Sequence, residues 1–195
     1  ISRQMGSLGG DVARLVAQRL GYRFVWREII NMAARKAGTP EAALAAIDEL
    51  GLLSICPSPE DCQAYRNAVQ QVMQELADQG NVVILGRAGQ VILRDHPAVL
   101  HVRVMAPVHV RVARVAARQN IPLKCAQAQV TASDRYRRNY LKRFYNIRWD
   151  DPQLYDLVIN TDRLDASVTA DLISDTLRLL MKMRSTTSPS AGVAS

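Results

Sequence analysis

The chain has 195 residues, of which 48% are hydrophobic and 22% charged, and its net charge is +7. This composition is typical of a globular domain and excludes collagen, disulfide-rich scaffolds and disordered chains. The length suits one α/β domain and is short for two. The sequence has no run of 18 apolar residues and therefore predicts no membrane span. Its three cysteines (Cys56, Cys62 and Cys125) and the lack of a signal-peptide pattern predict a reducing, cytoplasmic setting.

Positive charge is concentrated in one part of the chain. Residues 101–150 carry eleven Lys and Arg and two acids, a net charge of +9, whereas the remaining residues sum to −2. Such a region predicts an anionic partner, which could be nucleic acid, an acidic membrane surface or a polyphosphate. A solvated helix face is the alternative interpretation.

Strands and helices alternate along the chain. Apolar runs predict strands, in chain order, at Ile1–Arg3, Tyr22–Val25, Val82–Leu85, Val99–Met105 and Leu157–Ile159. Helical spacing, capping residues and proline breaks predict helices at residues 11–20, Arg27–Lys36, Glu41–Leu50, Glu60–Asp78, residues 107–119, Ala126–Tyr145 and Asp165–Met183. The polar tail, residues 185–195, is predicted to be disordered.

This alternation predicts an α/β fold with a parallel sheet that helices cover on both faces. Ligands of such sheets bind beyond the carboxyl ends of the strands. Three notable segments follow predicted strands there, namely residues 4–10, residues 86–89 and Ala106-Pro107. We therefore expect them to converge on one cleft.

The first of these segments has the character of a phosphate-binding turn. A glycine-rich passage from a strand into a helix presents backbone N–H groups and the positive end of the helix dipole to an anion. The Walker A pattern is not met, because Gly9 stands at the lysine position and Asp11 at the Ser/Thr position. A tight turn that binds no ligand remains the alternative.

Several segments, in order, carry a resemblance to a known family. They are residues 2–13 (Ser-Arg-Gln-Met-Gly-Ser-Leu-Gly-Gly-Asp-Val-Ala), residues 20–22 (Leu-Gly-Tyr), residues 27–30 (Arg-Glu-Ile-Ile), residues 83–89 (Val-Ile-Leu-Gly-Arg-Ala-Gly), Asp134-Arg135, and residues 155–161 (Tyr-Asp-Leu-Val-Ile-Asn-Thr). With them the chain resembles the cytidylate kinase-like family. The resemblance implies a three-layer P-loop kinase-like fold with a five-stranded parallel sheet. It places one domain at residues 1–184, with a helical acceptor-binding insertion at about 27–79 and a basic lid at about 121–150.

The resemblance also implies an activity. Such enzymes move the γ-phosphoryl group of ATP, with Mg²⁺, onto CMP or a related small acceptor, and no nucleic-acid or membrane partner is expected. The family's loop usually reads Gly-Ser-Gly-Gly, whereas Leu8 replaces its middle glycine here. A side chain at that position restricts the turn. A nucleotide-binding regulatory module with impaired catalysis is therefore the alternative.

The site residues follow from this resemblance and from the missing lysine. Arginine must supply the positive charge, and its planar fork suits phosphate oxygens. The predicted catalytic residues are Arg3, Arg87, Arg138 and Arg143, with Arg87 gripping the acceptor phosphate. The predicted nucleotide-binding residues are Gly6, Ser7, Leu8, Gly9, Gly10, Asp11 and Arg135. The predicted metal contacts are Ser7 and Asp11, although Asp11 also fits an ordinary first-turn acid that satisfies the helix dipole.

Some lid residues allow more than one interpretation. Arg137 is a further candidate among the lid arginines, and Asp134 either holds an arginine in position or forms a plain ion pair within its helix. Tyr136, Tyr140 and Phe144 recur at the spacing of a helix-packing stripe, which argues against base stacking and nucleic-acid binding. Trp149, like Trp26, is predicted to seal the core.

Overall fold

A computed structural model describes residues 1–37 and 59–187 of the chain. The strands are β1 (Ser2–Arg3), β2 (Arg23–Val25), β3 (Val82–Ile84), β4 (Val102–Met105) and β5 (Leu157–Asn160). The helices are α1 (Gly9–Leu20), α2 (Glu28–Ala37), α3 (Pro59–Gln79), α4 (Gly89–Ile92), α5 (Val108–Gln119), α6 (Leu123–Tyr145) and α7 (Ala166–Thr187). The five predicted strands are all present. The predicted helix Glu41–Leu50 lies outside the described residues.

Two helices differ from their predicted bounds by three or more residues at one end, and the other predicted helices within the described residues agree within two residues. Helix α6 begins three residues earlier than predicted, because Pro122 occupies its N-cap position with φ −58° and the helix can start directly after it. Helix α7 continues to Thr187, so the predicted disordered tail does not begin at residue 185. The rest of that tail, residues 188–195, lies outside the described part of the chain.

The strands pair in parallel, but as two sheets instead of the single five-stranded sheet that the sequence predicts. One sheet has the order β1-β4-β5 and the other consists of β2 and β3. Ile1 joins the two sheets by hydrogen bonds: its nitrogen donates to the Ile84 carbonyl oxygen at 2.7 Å, and its carbonyl oxygen accepts from Gly86 N at 2.9 Å.

Apolar clusters on the sheets fix the helices around them. Helix α1 packs against α7, and both cover a buried cluster that includes Val12, Val104 and Ile173. Helix α2 packs against α3 around a second cluster, which includes Ile29 and Met73. Helices α5 and α6 pack together as a third pair. None of the helices within residues 1–37 and 59–187 has the length and apolar character to cross a bilayer.

A half-buried histidine at the entry to β4 makes stability depend on pH. Burial lowers the pKa of His101 below its usual 6.5. The ring Nε2 lies 3.1 Å from the Leu93 carbonyl oxygen, an acceptor that suits a neutral ring with its proton on Nε2. The unfolded chain therefore binds a proton more readily than the folded one. We expect the free energy of unfolding to fall as the pH drops below about 6.5, toward the lower folded pKa.

Urea unfolding at pH 7.5 and pH 5.5 measures this effect. His101→Gln should reduce the loss of stability, because it removes this contribution to the pH dependence. His109→Gln changes an exposed histidine and serves as the control, which should keep the wild-type pH dependence. An unchanged pH dependence in His101→Gln would assign the loss to other groups.

Candidate functional site

The turns after β1 and β4 come together, as the sequence predicts. Gln4 N donates to the Val104 carbonyl oxygen at 3.1 Å, and the Gln4 side-chain oxygen accepts from Ala106 N at 3.1 Å. The turn after β3 lies beside them, because Arg87 lines the same cavity as Arg3. The carboxyl ends of the three strands thus form one edge of the molecule.

The loop of residues 4–10, called the phosphate loop below, passes through two left-handed backbone conformations. Gly6 has φ +80°, and Leu8 occupies the N-cap of α1 with φ 63° and ψ 2°. These are left-handed conformations, which favour glycine and strain a leucine. The Leu8 side chain packs against the buried cluster that includes Val12. The first N–H groups of a helix have no intrahelical acceptor, so the loop presents donors at the start of α1.

Gly9 is required by a close approach within the chain. A Cβ atom at Gly9 would lie 2.3 Å from the Cβ of Arg3, so α1 begins directly against the Arg3 stem. The same test at Gly10 finds nothing closer than the Arg14 Nη1 atom at 3.8 Å. Two adjacent glycines therefore have different roles. Only Gly9 is needed to place Arg3.

Ser7 has a structural role. Its side chain is fully buried, and the hydroxyl lies 2.9 Å from the Gln4 carbonyl oxygen and 3.0 Å from that of Val104. The Thr161 hydroxyl donates to the Ser7 carbonyl oxygen at 2.9 Å and fixes the loop from the end of β5. A hydroxyl committed to main-chain carbonyls in the interior does not support the prediction that Ser7 is a metal ligand.

Asp11 engages arginines at the surface. Its carboxylate lies 3.1 Å from Arg118 on α5 and 3.5 Å from Arg14 on its own helix. This arrangement agrees with the first-turn acid interpretation and does not support a metal ligand at Asp11. Among the described residues, no group of three or more His, Cys, Asp and Glu side chains lies close enough to hold a metal ion.

Three arginines converge on one small cavity beside the phosphate loop. Arg3 is 8% exposed and Arg87 is 4% exposed, and both line the cavity together with the half-buried Arg137 of α6. The other lining residues are Ser2, Gly86, Ala88, Gln90, Tyr140, Leu141 and Trp149. Its volume is about 40 Å³, which is room for roughly three water molecules. This is the scale of a phosphoryl group.

Two buried phenols interact electrostatically with Arg87, and one of them, that of Tyr140, lines the cavity. Burial raises the pKa of Tyr140 well above its usual value and also raises the pKa of Tyr65, while the Arg87 cation opposes both shifts. Both phenols therefore keep their protons at neutral pH. A protonated phenol can donate a hydrogen bond to an anion that a guanidinium has already attracted.

The lid arginine that lines the cavity is not one of those predicted to be catalytic. Arg135, Arg138 and Arg143 are exposed on α6 and do not line the cavity. Arg137 is the lid arginine that reaches it, and its Nη1 also donates to the Ser133 hydroxyl. Arg137 faces inward because it lies on the apolar face of α6. The residues Ala126, Val130 and Leu141 of that face are buried. That spacing was visible in the sequence and could have identified Arg137.

Asp134 does hold an arginine in position, and that arginine is Arg111. The two side chains form a buried ion pair, with Arg111 Nη2 at 2.8 Å from Asp134 Oδ2. From the sequence, Arg111 was predicted only to contribute to the positive charge of residues 101–150. The signal for it was its place beside Val112 and Val115 on the apolar face of a helix, where a cation needs a partner.

Trp149 is buried, which agrees with its predicted place in the core, and one side of it lines the cavity. Its indole Nε1 donates to the Ser2 hydroxyl at 3.0 Å, and the Arg103 guanidinium lies 4.4 Å from its ring centroid. Tyr140 and Phe144 pack with their ring centroids 5.1 Å apart, which agrees with the predicted helix-packing stripe. These aromatic rings thus pack against other side chains of the protein.

Comparison with known proteins identifies the family of the chain. The model of the cytidylate kinase-like family matches residues 1–163. A cytidylate kinase of Methanocaldococcus jannaschii is 34% identical over 178 residues, which cover 88% of this chain and 92% of that protein. A cytidylate kinase of Staphylothermus marinus is 27% identical over 175 residues, or 87% of this chain and 90% of that protein.

Solved structures share the fold. A protein of uncharacterised function from Eubacterium ventriosum superposes with a TM-score of 0.70 at 20% identity, covering 91% of this chain and 95% of its own. Shikimate kinase from Acinetobacter baumannii superposes with a TM-score of 0.50 at 17% identity, covering 94% of this chain and 92% of its own. At these identities the structures show a P-loop kinase-like α/β fold alone. Because the family model matches residues 1–163, from β1 and its phosphate loop to the end of β5, this chain belongs to the cytidylate kinase-like family.

Proposed function

We propose that the protein is an ATP-dependent phosphotransferase that moves the γ-phosphoryl group to CMP or a related small phosphate acceptor. Family membership supports a kinase-type phosphotransferase of the nucleoside monophosphate kinase class. The curated relatives named above are cytidylate kinases, which supports CMP as the first acceptor to test. The finer assignment rests on the site.

The observation that carries the proposal is the arginine cavity next to the phosphate loop. Arg3 is the last residue of β1 before that loop, and Arg87 follows β3, the strand that Ile1 links to β1. An acceptor phosphate between Arg87 and Arg137 would therefore lie close to a donor phosphate on the loop. Transfer between two phosphoryl groups depends mainly on such positioning and on charge neutralisation.

The donor would be held without a lysine. The N–H groups at the start of α1 and the guanidinium of Arg3 supply positive charge at the loop. Ser7 and Thr161 would fix the loop from behind through the carbonyl contacts described above. We also propose that the two sheets act as one five-stranded layer under the site, because the Ile1 hydrogen bonds continue the strand order across their junction.

Mg²⁺ would arrive with the nucleotide. The side chains of Ser7 and Asp11 do not fit it as ligands, for the reasons given above, and we assign no protein ligand to the ion. The chain's own contribution is to bind and orient the phosphates. The exposed Arg135, Arg138 and Arg143 stay candidates for contacts with the outer part of a bound nucleotide.

An assay of ADP release with ATP and Mg²⁺ tests the proposal. CMP, dCMP, UMP and AMP are compared as acceptors, and direct binding of ATP is measured in parallel. Turnover that requires an acceptor supports the proposal. ATP binding without turnover on any acceptor would instead favour the regulatory module that the strained Leu8 suggests. Leu8→Gly, which removes that strain, would then be expected to restore turnover.

A further inference from the structure

The most deeply buried guanidinium of the described residues belongs to Arg111. Its side chain is 1% exposed on the inner face of α5, and its partner Asp134 is 9% exposed on α6. Burial of a charge is costly unless every donor finds a partner. The Arg111 guanidinium is stabilised by contacts with three parts of the chain.

One guanidinium joins three separate elements. Nε donates to the Ala106 carbonyl oxygen at 3.0 Å, at the end of β4. Nη1 donates to the Met5 carbonyl oxygen in the phosphate loop at 3.3 Å, and also to Asp134 Oδ1 at 3.2 Å. Nη2 donates to Asp134 Oδ2 at 2.8 Å. The loop, the sheet edge and the lid helix thus share a single charged group.

The loop also rests directly on the backbone of the same residue. A Cβ atom at Gly6 would lie 2.6 Å from the Arg111 carbonyl oxygen, a distance that leaves no room between the two main chains. The phosphate loop therefore contacts α5 through both the main chain and the side chain of Arg111. A shift of α5 must shift the loop.

The lid arginine of the cavity is tied to this arrangement. Arg137 follows Asp134 by three residues on α6, which is about one helical turn. Because Asp134 is anchored by Arg111, the position of Arg137 relative to the phosphate loop is fixed through the ion pair. A rigid helix transmits that constraint along its length.

We propose that Arg111 and Asp134 are positioning residues for phosphoryl transfer. Together they hold the lid helix at a set distance from the phosphate loop. This keeps the Arg137 guanidinium at the acceptor cavity at a fixed position relative to a donor phosphate on the loop. This inference rests on the proposed function. It assigns neither side chain a contact with substrate.

The first test replaces the pair by apolar side chains of similar volume. Exchange of a buried ion pair in this way is often neutral for stability, so Arg111→Met/Asp134→Leu should stay folded. We expect kcat to fall between 10-fold and about 100-fold, because misplacement by about 1 Å is enough for such a loss. KM for ATP and for the acceptor should change less than about threefold, since the binding groups remain. Wild-type kcat in the folded double variant would overturn the proposal.

If the double variant does not fold, the single variant Arg111→Lys tests the proposal, with Asp175→Asn as its control. Arg111→Lys keeps the charge beside Asp134 but lacks the planar fork that also reaches Met5 and Ala106. It should lose part of kcat while KM stays near the wild-type value. Asp175→Asn removes a surface ion pair with Arg178 and is the control, with kinetics expected to be unchanged. Arg111→Lys with wild-type kcat would contradict the positioning role.

A distance measurement is independent of turnover. Cys125 is an exposed free cysteine in the first turn of α6, and Gln18 is exposed on α1. Spin labels at Cys125 and at Gln18→Cys, in a background of Cys56→Ser and Cys62→Ser, report the distance between these two helices. We expect a narrow distribution with the native pair and a broader or shifted one in Arg111→Met/Asp134→Leu.

The two readouts separate the inference from the proposed function. If the wild-type protein turns over no acceptor, the proposed function fails, and the label distance still decides whether the pair fixes the lid helix. An identical narrow distribution in the double variant would overturn the inference even in an active kinase.

Discussion

Arg87→Ala is expected to lower kcat/KM for the acceptor by about 100-fold, the usual scale for removing one preorganised donor from a site where charge must be stabilised. The guanidinium is 4% exposed and faces the cavity that Arg3 and Arg137 also line. Its burial already costs free energy that its contacts offset. Its removal should therefore change the free energy of unfolding by less than about 1 kcal/mol.

Steady-state kinetics and urea unfolding on the same preparation check this expectation. Arg87→Lys should lose less, about 10-fold, because an ammonium keeps the charge and lacks the fork. Arg94→Ala removes an exposed arginine seven residues later and should leave both measurements unchanged. A large loss of stability with normal kinetics would make Arg87 a structural residue.

Gly9→Ala and Gly10→Ala are expected to differ sharply although the residues are adjacent. The added methyl group at Gly9 meets the Arg3 Cβ at 2.3 Å, which neither backbone can avoid without a shift. Overpacking of this kind costs about 1–3 kcal/mol. We also expect most turnover to be lost, because Arg3 is displaced from the cavity and the start of α1 moves.

Gly10→Ala is the matched control for that variant. The nearest atom to the added methyl group is Arg14 Nη1 at 3.8 Å, so no clash arises. Alanine in a helical position is favoured over glycine by about 0.5 kcal/mol. Urea unfolding should therefore separate the two variants in sign, with Gly9→Ala less stable than wild type. Equal stability of the two would show that the loop tolerates movement of Arg3.

Much of the fold could be predicted from the sequence, because apolar periodicity and turn residues act locally. The strands, the loop at their carboxyl edge and Arg87 at the end of β3 follow from such patterns. The division into two sheets could not be predicted in this way, since it depends on backbone hydrogen bonds between segments that are far apart in the sequence.

The site was harder to predict because charge alone does not show which arginines of a helix face inward. Arg135, Arg137 and Arg138 are equivalent as charges in the sequence. Only Arg137 shares the face of α6 that Asp134 and the apolar stripe turn inward. Ser7 looked like a metal ligand by its position in the loop. Its hydroxyl instead satisfies main-chain carbonyls that the tight turn leaves buried.

The place of the ion pair along α6 has a mechanical consequence. Helix α6 runs from Leu123 to Tyr145 without a break, and Asp134 stands at its midpoint. A helix of this length spans about 34 Å, so a tilt of about 10° around the middle would displace its two ends by about 3 Å in opposite directions. The Arg111–Asp134 ion pair therefore lies at the point of α6 that such a tilt would move least. The cavity end of the helix and the end near Cys125 would move in opposite directions.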